Sequence, residues 1–146
     1  MNEVPACYFC EKHRTGGDAP QGGWLFEDRD WLVGHGPVNM CLAGSLRIES
    51  RRHFTDFAEM TDSEAASFGR LLTDLYRAVR PATGAERIHL LATMDYQPHF
   101  HAWLYPRSAT ERRRGTEFLN HDMSCALADA EAVADRIRAA LVARSC

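Results

Sequence analysis

Read with a period of two, residues 99–105 place His99, His101 and Trp103 on one face of a strand. Phe100, Ala102 and Leu104 then point to the other face, as expected of a sheet packed on a core. The same patterning predicts the other elements. Trp24-Leu25-Phe26 and Trp31-Leu32-Val33 flank Glu27-Asp28-Arg29-Asp30 and read as a hairpin, which Gly34-His35-Gly36-Pro37 interrupts. Ser45-Leu46-Arg47-Ile48-Glu49 alternates and predicts a further strand. Thr61 and Glu64 have the spacing of a capping box, and Phe68, Leu71, Leu72, Leu75 and Val79 follow at helical spacing. That helix is predicted to run to about Arg80 and to stop at Pro81 and Gly84. Arg87–Thr93 reads as a buried strand, with His89 a strand histidine holding a hydrogen bond, and Asp95–Pro98 turns the chain into 99–105. Residues 108–120 are charged and poorly periodic, and read as a loop over the site or toward a partner. Leu127, Ala130, Ala134, Ile137 and Leu141 mark a C-terminal helix within 124–145. Strands, helix, strands, helix, with the strands close in sequence, predict an α+β fold with an antiparallel meander.

At 146 residues the chain is long enough for one domain, 1–146, with a core of its own and no linker, repeat or low-complexity tract. The formal net charge of −3 and the lack of a basic stripe argue against nucleic-acid binding. Arg112-Arg113-Arg114 reads as a solvated loop. No stretch is long and apolar enough to span a bilayer, the N-terminus lacks a signal-peptide pattern, and five cysteines suit a reducing compartment. A cytoplasmic protein is expected.

Cys7-Tyr8-Phe9-Cys10 brings further chemistry. Two thiolates at this spacing reach one tetrahedral ion from a tight knuckle, although redox pairs use the same spacing. The position at the start of the chain, followed by His13, Gly16, Gly17 and Pro20, favours a metal knuckle over residues 1–23. Cys41 reads as packing, and Cys125 and Cys146 as incidental thiols.

His99-Phe100-His101-Ala102-Trp103-Leu104-Tyr105, followed by Pro106-Arg107, resembles the signature of the histidine triad (HIT) superfamily, with tryptophan in place of the third histidine. Ser50-Arg51-Arg52-His53 is similar to the family's Pro-Lys-x-His turn without its proline, so the resemblance covers residues 7–107. It implies a HIT-like α+β fold, an antiparallel sheet with one helix between strands; the C-terminal helix, beyond Arg107, rests on the helical spacing alone. It also implies a structural zinc on Cys7, Cys10, His53 and His99, as in zinc-containing members and the related uridylyltransferases. His13 and His35 are competing ligands without the family position.

The family's middle histidine, here His101, attacks the α-phosphorus of a nucleotide and forms a nucleotidyl-histidine. The implied activity is nucleotide hydrolysis or nucleotidyl transfer on a phosphoramidate, a dinucleoside polyphosphate or another nucleotidyl conjugate, in a homodimer. Trp103 offers one N–H donor and no acceptor, so it can bind a phosphate oxygen or stack on a base but cannot act as general acid. Uridylyltransferase relatives carry glutamine at that position, so the resemblance does not require a third histidine. The family's ribose-binding residue has no clear counterpart; His35 is the substitute, a plain loop histidine the alternative, and Asp28 and Asp30 are displaced. Two rivals remain: a nucleotide-binding module whose catalysis has lapsed, and a zinc-stabilised interaction domain that meets its partner through Arg112–Arg114.

Overall fold

A computed structural model of the protein describes residues 6–17 and 19–144. The elements are α1 (Tyr8–Thr15), β1 (Trp24–Glu27), β2 (Trp31–His35), β3 (Leu46–Ser50), a short 3-10 turn (Phe57–Glu59), α2 (Asp62–Thr83), β4 (Arg87–Leu91), β5 (His101–Arg107), α3 (Gly115–Leu119) and α4 (Leu127–Arg144). The strands form one antiparallel sheet in the order β1-β2-β3-β5-β4, an α+β arrangement as expected. It is not a simple meander. The chain leaves β3 through α2 and returns as the edge strand β4, and β5 then inserts between β3 and β4. The histidine strand thereby gains a neighbour on each side.

One face of the sheet carries the core. Trp31, Val33, Ile48, Phe100, Ala102 and Leu104 are buried there against Phe68, Leu71, Leu75 and Val79 of α2 and against Val133, Ala134, Ile137 and Leu141 of α4. The period-two reading therefore holds: the residues between the histidines are core. Leu127, placed in the apolar stripe by its spacing, is instead exposed, because α4 begins there and packs only from Ala130 onward.

α2 starts as its sequence predicts. The Thr61 side chain accepts from the Glu64 backbone N–H at 3.1 Å, and the Glu64 carboxylate accepts from the Thr61 N–H at 2.8 Å. Its end differs from expectation. The helix passes through Pro81 and stops at Thr83, where Gly84 adopts φ +70°. A proline in the last turn removes one donor and leaves the rest of the ladder intact, so the left-handed glycine sets the end. Two segments are more ordered than expected. The Cys-x2-Cys segment is a helix, α1, not a knuckle, and the 108–120 loop contains α3, which buries Phe118. Among the described residues His89 Nε2 is buried without a hydrogen-bond partner, contrary to expectation; its ring lies 5.3 Å from that of Phe118. Among the described residues no helix is long and apolar enough to cross a membrane. Residues 1–5 and 18 of the expected 1–23 segment, residue 145 of the expected 124–145 helix, and Cys146 lie outside the described residues.

A Cys2His2 cluster beside a buried histidine

Cys7 is the N-cap of α1, and its Sγ accepts from the Cys10 N–H, one turn on, at 3.5 Å. The helix thus presents both sulfurs from its first turn. His53 comes from the turn after β3, and His99 stands two residues before β5. These four residues supply donor atoms that all lie within 4.8 Å of one another. His99 Nδ1 is 3.5 Å from Cys7 Sγ, 3.6 Å from Cys10 Sγ and 3.3 Å from His53 Nδ1, and Cys10 Sγ is 3.5 Å from His53 Nδ1.

Tetrahedral zinc, with Zn–S about 2.3 Å and Zn–N about 2.0–2.1 Å, sets S···N edges of about 3.6 Å and N···N edges of about 3.4 Å. The four edges given above match these values. His99 also has the required tautomer: its Nε2–H donates to the Ser50 carbonyl at 2.7 Å, leaving the Nδ1 lone pair toward the other three donors. Burial, more than the repulsion of the neighbouring imidazoles, holds His99 down at about 4, so the ring is neutral at physiological pH. The donor set fits a four-coordinate zinc.

Nearby side chains position the ligands. Arg52, beside His53, donates to the Glu64 carboxylate at 2.8 Å, so the capping residue of α2 also holds the ligand turn. Ser50 stands where the resemblance expects proline; its N–H donates to the Phe100 carbonyl at 3.1 Å, and its own carbonyl orients His99. A proline could not make the first bond. His13, a competing ligand by sequence, instead donates to Glu49 at 2.8 Å.

His101 follows on β5. Its Nδ1–H donates to the His99 carbonyl at 2.7 Å, which leaves Nε2 as the unprotonated nitrogen. Burial pulls its pKa below the ordinary value and the nearby Arg47 charge adds to this, against the His99 carbonyl and Glu49. The imidazole is neutral and tautomerically fixed, the state a nucleophile needs. It is only 8% exposed, and the Phe9 ring of α1 lies 5.0 Å away.

The β3–β5 register places Glu49 opposite His101 and Arg47 opposite Trp103. Glu49 is a buried charge hub, with Lys12 Nζ at 2.5 Å, His13 Nε2 at 2.8 Å and Arg47 Nε at 2.9 Å. Burial pushes its carboxyl up, but these partners prevail and hold it at about 2. Phe9, Lys12, Arg47 and Glu49 were not among the expected site residues. The signal lay in the alternation of 46–49, which puts Arg47 and Glu49 on the face opposite the core once β3 is paired with the histidine strand.

Trp103 is half-buried and stacks on Tyr105 at 5.8 Å and 12°. His35, the expected ribose contact, is buried with both ring nitrogens engaged: Nδ1–H donates to the Gly36 carbonyl at 2.7 Å and Nε2 accepts from the Gly44 N–H at 2.9 Å. These bonds hold the 36–44 loop and leave neither nitrogen for a ribose hydroxyl. Asp28 accepts from the backbone of Asp30 and Trp31 and closes the β1–β2 turn. Arg113 and Arg114 bond within their own loop, to Glu111.

No protein-family model matches the sequence, and no curated protein matches it. Solved structures do match the fold. A Hit-like protein involved in cell-cycle regulation from Bartonella henselae superposes with a TM-score of 0.72 at 14% identity, over 96% of this chain and 99% of that one. A Zn-bound histidine triad family protein from Mycobacterium smegmatis gives 0.71 at 19% identity, over 96% of each chain. A hypothetical histidine triad nucleotide-binding protein from Sulfolobus tokodaii strain7 gives 0.71 at 14% identity, over 94% of this chain and 93% of that one. The α+β architecture read from the sequence and the structures it superposes on agree: the chain has the histidine triad fold.

Proposed function

We propose that the protein is a zinc-containing nucleotide hydrolase or nucleotidyltransferase that acts at an α-phosphate through His101. The observation that supports this reading is the bond from His101 Nδ1–H to the His99 carbonyl, which leaves Nε2 as the nitrogen with an unshared pair. The nucleotide rests on the fold shared with a nucleotide-binding histidine triad protein, and the zinc on the cluster geometry and the fold shared with a Zn-bound one. Cys7, Cys10, His53 and His99 would hold the ion in a closed set, so its contribution is structural: it fastens α1 and the 50–53 turn to the start of β5.

In the first step the Nε2 lone pair forms an N–P bond as the leaving group departs in line with its electron pair. Nδ1 keeps its proton on the His99 carbonyl and the imidazole becomes a nucleotidyl-imidazolium. Water or another acceptor then attacks phosphorus, the N–P electrons return to Nε2, and the acceptor's proton passes to solvent. Trp103 borders the path of the leaving group and supplies contact, not a proton. The β4 edge is the surface proposed for homodimer formation, since Leu90 on it is exposed.

The experiment is turnover of nucleotide substrates by zinc-loaded wild type and by His101→Asn. Turnover that the substitution abolishes supports the reading; turnover that survives it removes His101 from the chemistry. One observation favours the rival binding module: Phe9 covers His101, which is 8% exposed. That reading predicts nucleotide binding without turnover, with affinity unchanged in His101→Asn.

A further inference from the structure

Phe9 is fully buried, yet it lies outside the hydrophobic core between the sheet, α2 and α4. Its close neighbours include two imidazoles and two cations. The ring centre lies 5.0 Å from that of His101 and 5.2 Å from that of His99. The Arg47 guanidinium stands 5.0 Å from the same ring and the Lys12 ammonium 5.7 Å. A phenyl group so placed adds nothing to the core. It covers the one imidazole that a nucleotide phosphate has to reach, and His101 is buried beneath it.

The backbone that carries Phe9 is held on both sides. Cys7 and Cys10 flank it in the first turn of α1 and belong to the Cys2His2 cluster. One turn on, Lys12 Nζ and His13 Nε2 meet Glu49 at 2.5 Å and 2.8 Å, and Glu49 is the residue paired with His101 across the sheet. A helix tied down in this way does not lift as a body to uncover the site. The ring can move by itself, because an aromatic side chain on a helix has two open χ1 wells, at about 180° and about −60°. The contacts that resist its rotation are the cation–π pairs with Arg47 and Lys12, which favour the covered state without locking it.

We infer that Phe9 is a gate on the His101 site, shut in this structure and opened by rotation of its ring. Its bearing on nucleotides rests on the proposed function; access to His101 does not depend on what His101 does there. With the ring over it, the imidazole is kept from water and solutes. With the ring turned away, the imidazole is open to a nucleotide, which binds only that form and draws the equilibrium toward it. The cover thus limits entry to the site and shields His101 between encounters.

The test is acylation of histidines by diethyl pyrocarbonate in the zinc-loaded full chain near neutral pH, with His101 and the half-buried His121 followed by peptide mapping. The reagent reads access and needs no turnover. Labelling of His101 is expected to be slow in the wild type and faster on the order of tenfold in Phe9→Ala, with His121 unchanged. Phe9→Leu, which keeps bulk but has no ring, is expected to fall between the two. Equal labelling of His101 in wild type and Phe9→Ala overturns the gate. An acceleration that His121 shares also overturns it, since that is the mark of a general loosening. Should Phe9→Ala not fold, Phe9→Leu decides, and His101 labelling no faster than in the wild type overturns the inference. The nucleophile reading fails separately: a gated His101 that gains no nucleotidyl group keeps the gate and loses the nucleophile, and an ungated one that gains it does the reverse.

Discussion

The backbone of His99 fixes the ring of His101. The His99 carbonyl accepts the His101 Nδ1–H at 2.7 Å, while the His99 ring turns into the Cys2His2 cluster through Nδ1 and donates through Nε2 to Ser50 at 2.7 Å. One residue thus links the cluster to the candidate nucleophile. Anything that frees the His99 ring loosens the atom that sets the His101 tautomer.

Removing the metal is therefore expected to act at a distance of two residues. Chelation, or Cys10→Ser, should lower thermal stability and leave the His101 imidazole averaging between tautomers. Nitrogen chemical shifts of the labelled imidazoles check this. A His101 signal that keeps a single Nδ1–H form in the metal-free protein would count against the linkage.

The ion pair between Arg52 and Glu64 is expected to support the cluster without joining it. Arg52→Ala removes the bond at 2.8 Å that fastens the His53 turn to the first turn of α2. Because Arg52 is partly solvated, little global stability should be lost. Zinc affinity, read by competition with a chromophoric chelator, should fall about tenfold, in the range for groups that orient ligands. An unchanged affinity would show that His53 is held by its own turn.

Glu49 gives a pH signature. Its folded carboxyl is held at about 2, below an unfolded value of about 4.3. A depressed carboxylate contributes stability that is complete above the unfolded pKa and disappears as pH falls toward the folded one. The stability difference between wild type and Glu49→Gln should be constant near neutrality and shrink as pH falls from about 5 toward 2. Denaturant titration of both proteins measures it. A difference that stays flat down to about pH 3 would remove Glu49 as the source.

Cys41 should behave as an inert thiol. It is fully buried, and burial with the nearby Cys125 pushes it up to about 12 despite Arg47. In the native protein at mildly alkaline pH an alkylating reagent should leave Cys41 unmodified, and it should react only on unfolding. Peptide mapping after timed alkylation reads this directly, and rapid native labelling would contradict the burial.

The elements that carry the site were legible where one local pattern decided them. The alternation of 99–105 separated core from site, the Thr61–Glu64 spacing marked the start of α2, and the four cluster residues stood at family spacing. Strand order was not legible, because placing β5 between β3 and β4 depends on long-range pairing. The roles of Arg47 and Glu49 depend on that same pairing and stayed hidden with it. His35 could not be resolved from sequence either: only the fold shows that Gly36 and Gly44 take both of its nitrogens.

The most direct test is the mass of the intact zinc-loaded protein after brief mixing with nucleotide anhydrides and phosphoramidates and quenching under alkaline conditions that preserve N–P bonds. The account predicts a gain of one nucleotidyl group, mapped by peptide sequencing to His101 and absent in His101→Asn. A folded, metal-loaded protein that binds nucleotide but gains no mass would contradict it, and the site under Phe9 would then be a binding pocket without chemistry.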